Sequence, residues 1–180
     1  LSDVMQKAGE TLAVQTEVLS GVLDKYRLLP PLLSRQSSIR ALFVRDVEGN
    51  AQTIDAKRVA EAISGMSAAK DVAFFFPDGE LLADARGSFA ERDESLPSLI
   101  EVALQGRLGR AALSNSLGER TYAFSAGVRR DGRFVGVVIV YVDFYRVEAA
   151  WALSARRIFV TDKAGTVFLA NDPDWRLKSI

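Results

Sequence analysis

The apolar positions at the start of the chain recur at helical spacing. Val4, Ala8, Leu12, Leu19, Val22, Leu23, Tyr26 and Leu29 fall at intervals of three, four and seven, which makes one apolar stripe on a helix. Ser2 is placed to cap it, with Asp3 in its first turn, and Pro30-Pro31 predicts its end. A helix of about 28 residues reaches roughly 42 Å. That is longer than a small domain needs and points to a stalk or dimer helix; the plainer alternative is a long core helix. Leu32, Leu33, Ile39, Leu42 and Phe43 predict short helical turns folded back on it. Asp55 then opens a helix to about Lys70, with Val59, Ile63 and Met66 inward.

At Asp71 the period changes. Val72-Ala73-Phe74-Phe75-Phe76 predicts a buried strand, Pro77-Asp78-Gly79-Glu80 a turn, and Leu81-Leu82-Ala83 the return strand. A charged loop over Asp84 to Glu94 follows, broken by Phe89-Ala90. Next come a helix over Ser95 to Gln105 that Gly106 stops, and a strand over Arg110 to Ser114. Arg120 to Phe144 predicts a long hairpin turning at Arg129 to Arg133. Its second strand, Phe134 to Val142, is nearly all apolar and largely β-branched, the signature of a strand covered on both faces. Phe144, Val147, Ala150 and Trp151 suit a connecting helix. Arg157 to Ala170 then repeats the hairpin of Val72 to Ala83, with Asp162 matched to Asp78.

These elements predict an α+β, sensor-like fold: a five-stranded antiparallel sheet flanked by helices. The expected division is a stalk helix and packing helices over 1–70 and a sensor domain over 71–143. A connecting helix over 144–156 and the start of a second, incomplete unit of the same kind over 157–180 follow.

Composition then removes functions. The 180 residues carry 23 basic and 23 acidic side chains, which leaves no electrostatic footprint for nucleic acid. There is no cysteine and no histidine, so disulfides, thiolate chemistry and imidazole acid–base work are excluded. Asp78, Asp84, Glu91, Asp93 and Glu94 lie in turns and a charged loop without a metal-ligand spacing. No cofactor and no metal are expected, and the chain is not expected to be an enzyme. No apolar run is long enough to span a bilayer and no signal peptide is visible, so any membrane link is expected through segments absent from this chain.

Three stretches carry a family resemblance. The helix end Leu23-Asp24-Lys25-Tyr26-Arg27-Leu28-Leu29-Pro30 is the first. The second is Gly136-Val137-Val138-Ile139-Val140-Tyr141-Val142-Asp143 with Val147-Glu148-Ala149-Ala150-Trp151. The third and most specific runs from Phe159 to Ser179, FVTDKAGTVFLANDPDWRLKS. Together they resemble the periplasmic sensor domains of four-carbon-dicarboxylate sensor histidine kinases. The resemblance implies a double PAS-like (Cache-type) sensor in the periplasm, carried by an inner-membrane protein. It also implies a homodimer through the N-terminal helix, a small-molecule ligand in the distal domain, and a cytoplasmic kinase outside this chain. Two positions depart from the pattern: Pro97-Ser98-Leu99-Ile100 stands where relatives carry Arg-Pro-Tyr-Phe, and Tyr141 stands where many carry Lys. With those cations absent, a less charged ligand, or an empty pocket, replaces classical succinate binding in the expectation.

The candidate ligand-binding residues follow from this matching and from strand alternation. Tyr141 matches the family Lys and offers a phenol; Tyr122 matches a family tyrosine. Ser114 and Asn115 fall in a hydroxyl-rich turn, Arg120 is the nearest replacement cation, and Phe124 shares a face with Tyr122. For each, a plain structural role is the competing reading. Phe74 and Phe76 are expected in the core, Arg86 as a cation able to swing inward, and Arg129, Arg130 and Arg133 as a solvated turn. The function expected is an extracytoplasmic ligand-sensing domain of a two-component sensor kinase. The alternatives are a chemoreceptor sensor domain or a non-binding dimerisation module.

Overall fold

The computed structural model describes residues 24–88, 94–114, 120–143, 145, 159–161, 167–170 and 174. The first 23 residues of the expected stalk, the connecting helix beyond Tyr145, and the Phe89-Ala90 pair lie outside these.

Helix α1 (residues 24–34) does not stop at Pro30-Pro31 as its sequence predicts. Both prolines lie within it, although each forfeits a backbone donor. Tertiary packing overrides that cost: Tyr26, Pro30 and Leu33 are all buried on one side of the helix. The chain turns after it, with the amide of Gln36 donating to the Leu33 carbonyl at 3.0 Å. Helix α2 (Ser37–Leu42) then folds back and buries Ile39 and Leu42, with Phe43 beyond its end.

Helix α3 (Thr53–Ser67) presents Ala56, Ala60, Ile63, Ser64 and Ser67 inward. Small residues at this spacing let the helix lie close on the sheet. Met66, expected on the inner face, is 82% exposed. It sits one residue round from the buried stripe. The end of α3 is tied to α1: Lys25 Nζ donates to the Ser67 carbonyl at 2.9 Å, and the Tyr26 hydroxyl to the same oxygen at 3.0 Å. An ammonium at a helix C-terminus also meets the negative end of the macrodipole.

The sheet has the order β2-β1-β5-β4-β3, antiparallel throughout. Its strands are β1 (Asp71–Phe75), β2 (Leu81–Asp84), β3 (Gly109–Ser114), β4 (Arg120–Arg130) and β5 (Arg133–Asp143). The β4–β5 hairpin turns on Asp131 and Gly132, both at positive φ, which matches the twist of the flanking strands. Strand β5 is central, as its apolar run requires. Alternate residues serve two cores. Val72, Phe74, Phe124, Val138, Val140 and Val142 meet α1, α2 and α3 on one face. Ala73, Phe75, Ala123, Val137, Ile139 and Tyr141 meet helix α4 (Leu96–Leu104) on the other.

Strands β6 (Phe159–Thr161) and β7 (Val167–Ala170) form a separate two-stranded antiparallel sheet. Its register slips at the same point as in the first hairpin. Phe74 and Phe75 pair with Ala83 and Leu81, while Val160 and Thr161 pair with Leu169 and Val167. The paired positions of the two hairpins therefore lie 86 residues apart (Phe74 and Val160), not the 84 that separates Asp78 from Asp162 in sequence.

Candidate ligand-binding face

The α4 face of the sheet is built around Tyr141. Strand alternation along β5 places it beside Ile139 and Val137. Cross-strand pairing sets it opposite Ala123 on β4 and Asp71 on β1. It is 5% exposed. Above this surface lie Leu99 and Ile100 of α4, the residues that depart from the family pattern; both are buried. These aliphatic side chains make an apolar cover. Ser125, on the same face as Tyr141, donates its hydroxyl to the Leu99 carbonyl at 2.7 Å and locks the helix to the strand. Gly109 on β3 leaves room for that bond: a Cβ there would lie 2.0 Å from Ser125 Oγ.

Asp71 is the site residue that the sequence reading missed. Its side chain is fully buried at the start of β1. Oδ1 accepts from the amides of Val72 at 2.7 Å, Ala85 at 3.0 Å and Arg86 at 3.1 Å, and Oδ2 from the amide of Ser88 at 3.0 Å. A buried carboxylate is costly unless hydrogen-bonded, and here four N–H groups supply the compensation. The carboxylate thereby pins residues 85–88, the exit of β2, beside Tyr141. Asp84 adds a bond from Gly87 N to its Oδ1 at 3.0 Å. The signal in the sequence was a single acid at the head of an apolar strand, Lys70-Asp71-Val72-Ala73-Phe74. Arg86, expected to be able to swing inward, has its amide fixed by this carboxylate and its side chain on the surface.

Among the described candidates, Tyr141 lies apart from Tyr122 and Phe124. Tyr122 and Phe124 stack on each other at 5.1 Å, in the core under α1 to α3, on the opposite face from Tyr141. Arg120 has the same strand parity as Tyr122 and pairs across β3–β4 with Ser114. Asn115 lies outside the described residues. On β4, the polar residues that share the face of Tyr141 are Thr121 and Ser125, both buried.

Hydrogen bonds from the side chain and backbone of Asn50 hold the exposed Asp46 carboxyl below its ordinary value. It organises the turn before α3, away from the α4 face.

No protein-family model matches the chain. Its sequence is similar to the C4-dicarboxylate transport sensor protein DctB of Pseudomonas aeruginosa, 28% identical over 172 residues, which is 93% of this chain and 28% of that protein. The DctB of Rhizobium meliloti is 23% identical over 169 residues, 91% of this chain and 27% of the relative. Among solved structures, the sensor domain of the Vibrio cholerae histidine kinase DctB superposes with a TM-score of 0.84 at 21% identity, covering 99% of this chain and 71% of that one. The chain is thus similar in sequence to DctB proteins and shares the fold of a DctB sensor domain. It spans little more than a quarter of the length of the curated DctB proteins it matches. The DctB-like fold recurs in the ligand-binding domain of the Pseudomonas aeruginosa amino acid chemoreceptor PctC, solved with GABA. That match has a TM-score of 0.69 at 18% identity over 98% of this chain and 80% of the other.

Proposed function

We propose that this chain is the extracytoplasmic, ligand-sensing part of a transmembrane two-component sensor histidine kinase. Its ligand is a small organic molecule that binds on the α4 face of the sheet, beside Tyr141. The observation that carries this reading is the pairing of DctB-like sequence and fold with a polar, anchored rim at that face. There the Asp71 carboxylate fixes residues 85–88 next to Tyr141, and Thr121 and Ser125 line the strand opposite.

The apolar cover of Leu99 and Ile100 supports a ligand less charged than a dicarboxylate. A second carboxylate buried against it would need a cationic partner that these positions do not supply. Signalling follows from the ties between elements. Ligand contact with α4 and the 85–88 segment favours one arrangement of the sheet and its helices. Through α3, the Lys25 and Tyr26 bonds pass that preference to α1, and from there to a second copy paired along the N-terminal helix.

A thermal-shift series tests the reading. Monocarboxylates, amino acids, neutral metabolites, succinate and malate are each titrated against the chain. A compound bound at about a hundredfold excess over its Kd adds about 2.7 kcal/mol of stability. For a chain of this size that raises the midpoint by roughly 5–10 °C. The expected result is such a rise with a monocarboxylate, amino acid or neutral compound and a smaller one with succinate. A larger rise with succinate than with any other compound would overturn the specificity. No rise with any compound would favour a dimerisation module.

A further inference from the structure

Strand β4 outruns its neighbour. Strand β3 begins at Gly109, opposite Ser125, while β4 continues to Arg130. From Ala126 onward the outer edge of β4 therefore carries no paired strand. A cleft of about 480 Å³ opens there, between the α1–α2 corner and the turn that follows α4. Pro31, Ser34, Arg35 and Arg40 form one wall, and Gly106 to Leu108 the other. Ala126, Gly127, Arg129 and Phe134 form the floor. Along β5, Phe134 stands seven residues from Tyr141, or about 23 Å. The cleft is thus not the face described above.

Its charge is one-sided. Arg35, Arg40, Arg107 and Arg129 line it and no acidic residue does. The chain as a whole is neutral, so this is a local concentration. None of the four is paired with a carboxylate among the described residues, where the ion pairs are Arg27–Asp24, Arg45–Glu80 and Arg58–Asp55. Three of them are oriented by neutral groups. Arg40 donates from a terminal nitrogen to the Arg35 carbonyl at 3.1 Å, and the Arg129 guanidinium stacks 4.3 Å from the Phe134 ring centroid. Arg107 bonds to Gln105 Oε1. One donor has no partner: Arg40 Nε is buried and makes no hydrogen bond. Leaving a charged donor buried and unsatisfied is expensive, and native structures rarely do so without a reason.

We infer that this cleft is a binding site for a small polyanion, one that presents at least two oxyanion groups. Guanidinium forks match carboxylate and phosphate oxygens bidentately, and four of them around one concavity exceed the needs of a single charge. The volume lies within the range of small-molecule sites. The Arg129–Arg130–Arg133 cluster, read from sequence as a solvated turn, divides accordingly. Arg129 faces the cleft over Phe134, whereas Arg130 and Arg133 flank the hairpin turn.

Isothermal titration of the 180-residue chain, at low salt, tests the site with pyrophosphate and citrate as separate probes. The expected result is saturable binding of at least one probe that weakens as salt is raised. Arg129→Gln and Arg40→Gln each lower the affinity by about tenfold or more, while Arg130→Gln leaves it unchanged. Binding of pyrophosphate alone assigns the site to phosphate groups, and binding of both extends it to carboxylates. Arg129 is exposed, so its variant reports on the site even if Arg40→Gln unfolds the chain. No saturable heat with either probe up to about 10 mM, or binding that Arg129→Gln leaves intact, would overturn the inference.

Discussion

Replacing Asp71 by Ala removes one acceptor from four amides. The Ala85 amide keeps a partner, since it also donates to the Val72 carbonyl at 3.0 Å. The amides of Val72, Arg86 and Ser88 lose the acceptor described here. Val72 is fully buried, so its unsatisfied amide bears a full desolvation cost of about 1–3 kcal/mol. Arg86 and Ser88 are exposed and rehydrate, so each contributes less. The total expected loss is about 2–4 kcal/mol. Urea unfolding followed by circular dichroism measures it. With m near 2 kcal/mol/M, the midpoint falls by about 1–2 M. Hydrogen exchange gives the local readout: the amides of residues 85, 86 and 88 exchange faster in the variant under native conditions. Asp71→Asn keeps the Oδ1 acceptor but turns an amide donor toward the Ser88 N–H, so it lies between the two. A midpoint within about 0.2 M of the parent, with unchanged protection at 85–88, would refute the claim that this carboxylate anchors the rim.

Other substitutions test the packing. Gly136→Ala places a Cβ 2.0 Å from Phe43 Cε1, which forces the ring off the sheet. A loss of about 1–3 kcal/mol by urea unfolding is expected, and a neutral result would show that Phe43 does not lie over β5. Tyr26→Phe deletes the hydroxyl bonds to the Ser67 and Ala68 carbonyls at 3.0 and 3.2 Å. About 1 kcal/mol should be lost, with faster exchange at the end of α3; unchanged exchange there would contradict the α1–α3 tie. The Asp46 carboxyl, followed by carbon NMR, should titrate below the ordinary carboxylate value because Asn50 bonds its charged form. A depressed native value means the turn's contribution is fully present above the unfolded value and is lost as pH falls through the native one. A titration at or above the ordinary value would contradict the turn geometry.

Much of the fold was legible because alternation and apolar runs are local. The continuous apolar stretch of β5 announced a strand with a layer on each side, and Asp131-Gly132 announced its turn. Helix α1 was misjudged at Pro30-Pro31 because propensity is local while the burial of Tyr26, Pro30 and Leu33 is tertiary. Met66 was misassigned because the inner stripe of α3 is made of small residues, whose close approach leaves a long side chain no place. The site was less legible. Alternation correctly put Tyr122 and Phe124 together, yet which of the two faces they share with Tyr141 depends on the β4–β5 register, and Ala123 is the residue opposite Tyr141. Asp71 stayed hidden because three of its four partners are backbone amides fourteen to seventeen residues away, which no side-chain motif records. The arginine cleft was hidden for a similar reason: its four cations come from three separate parts of the chain.

The most direct test of the sensing account is amide chemical-shift mapping with the compound that gives the largest thermal shift. The account predicts that the perturbed amides cluster in residues 85–88, 96–100, 121–125 and 139–143, and that Tyr141→Ala abolishes both the pattern and the rise in midpoint. Perturbations confined to α1, α2 and α3, or a rise in midpoint that survives Tyr141→Ala unchanged, would contradict it.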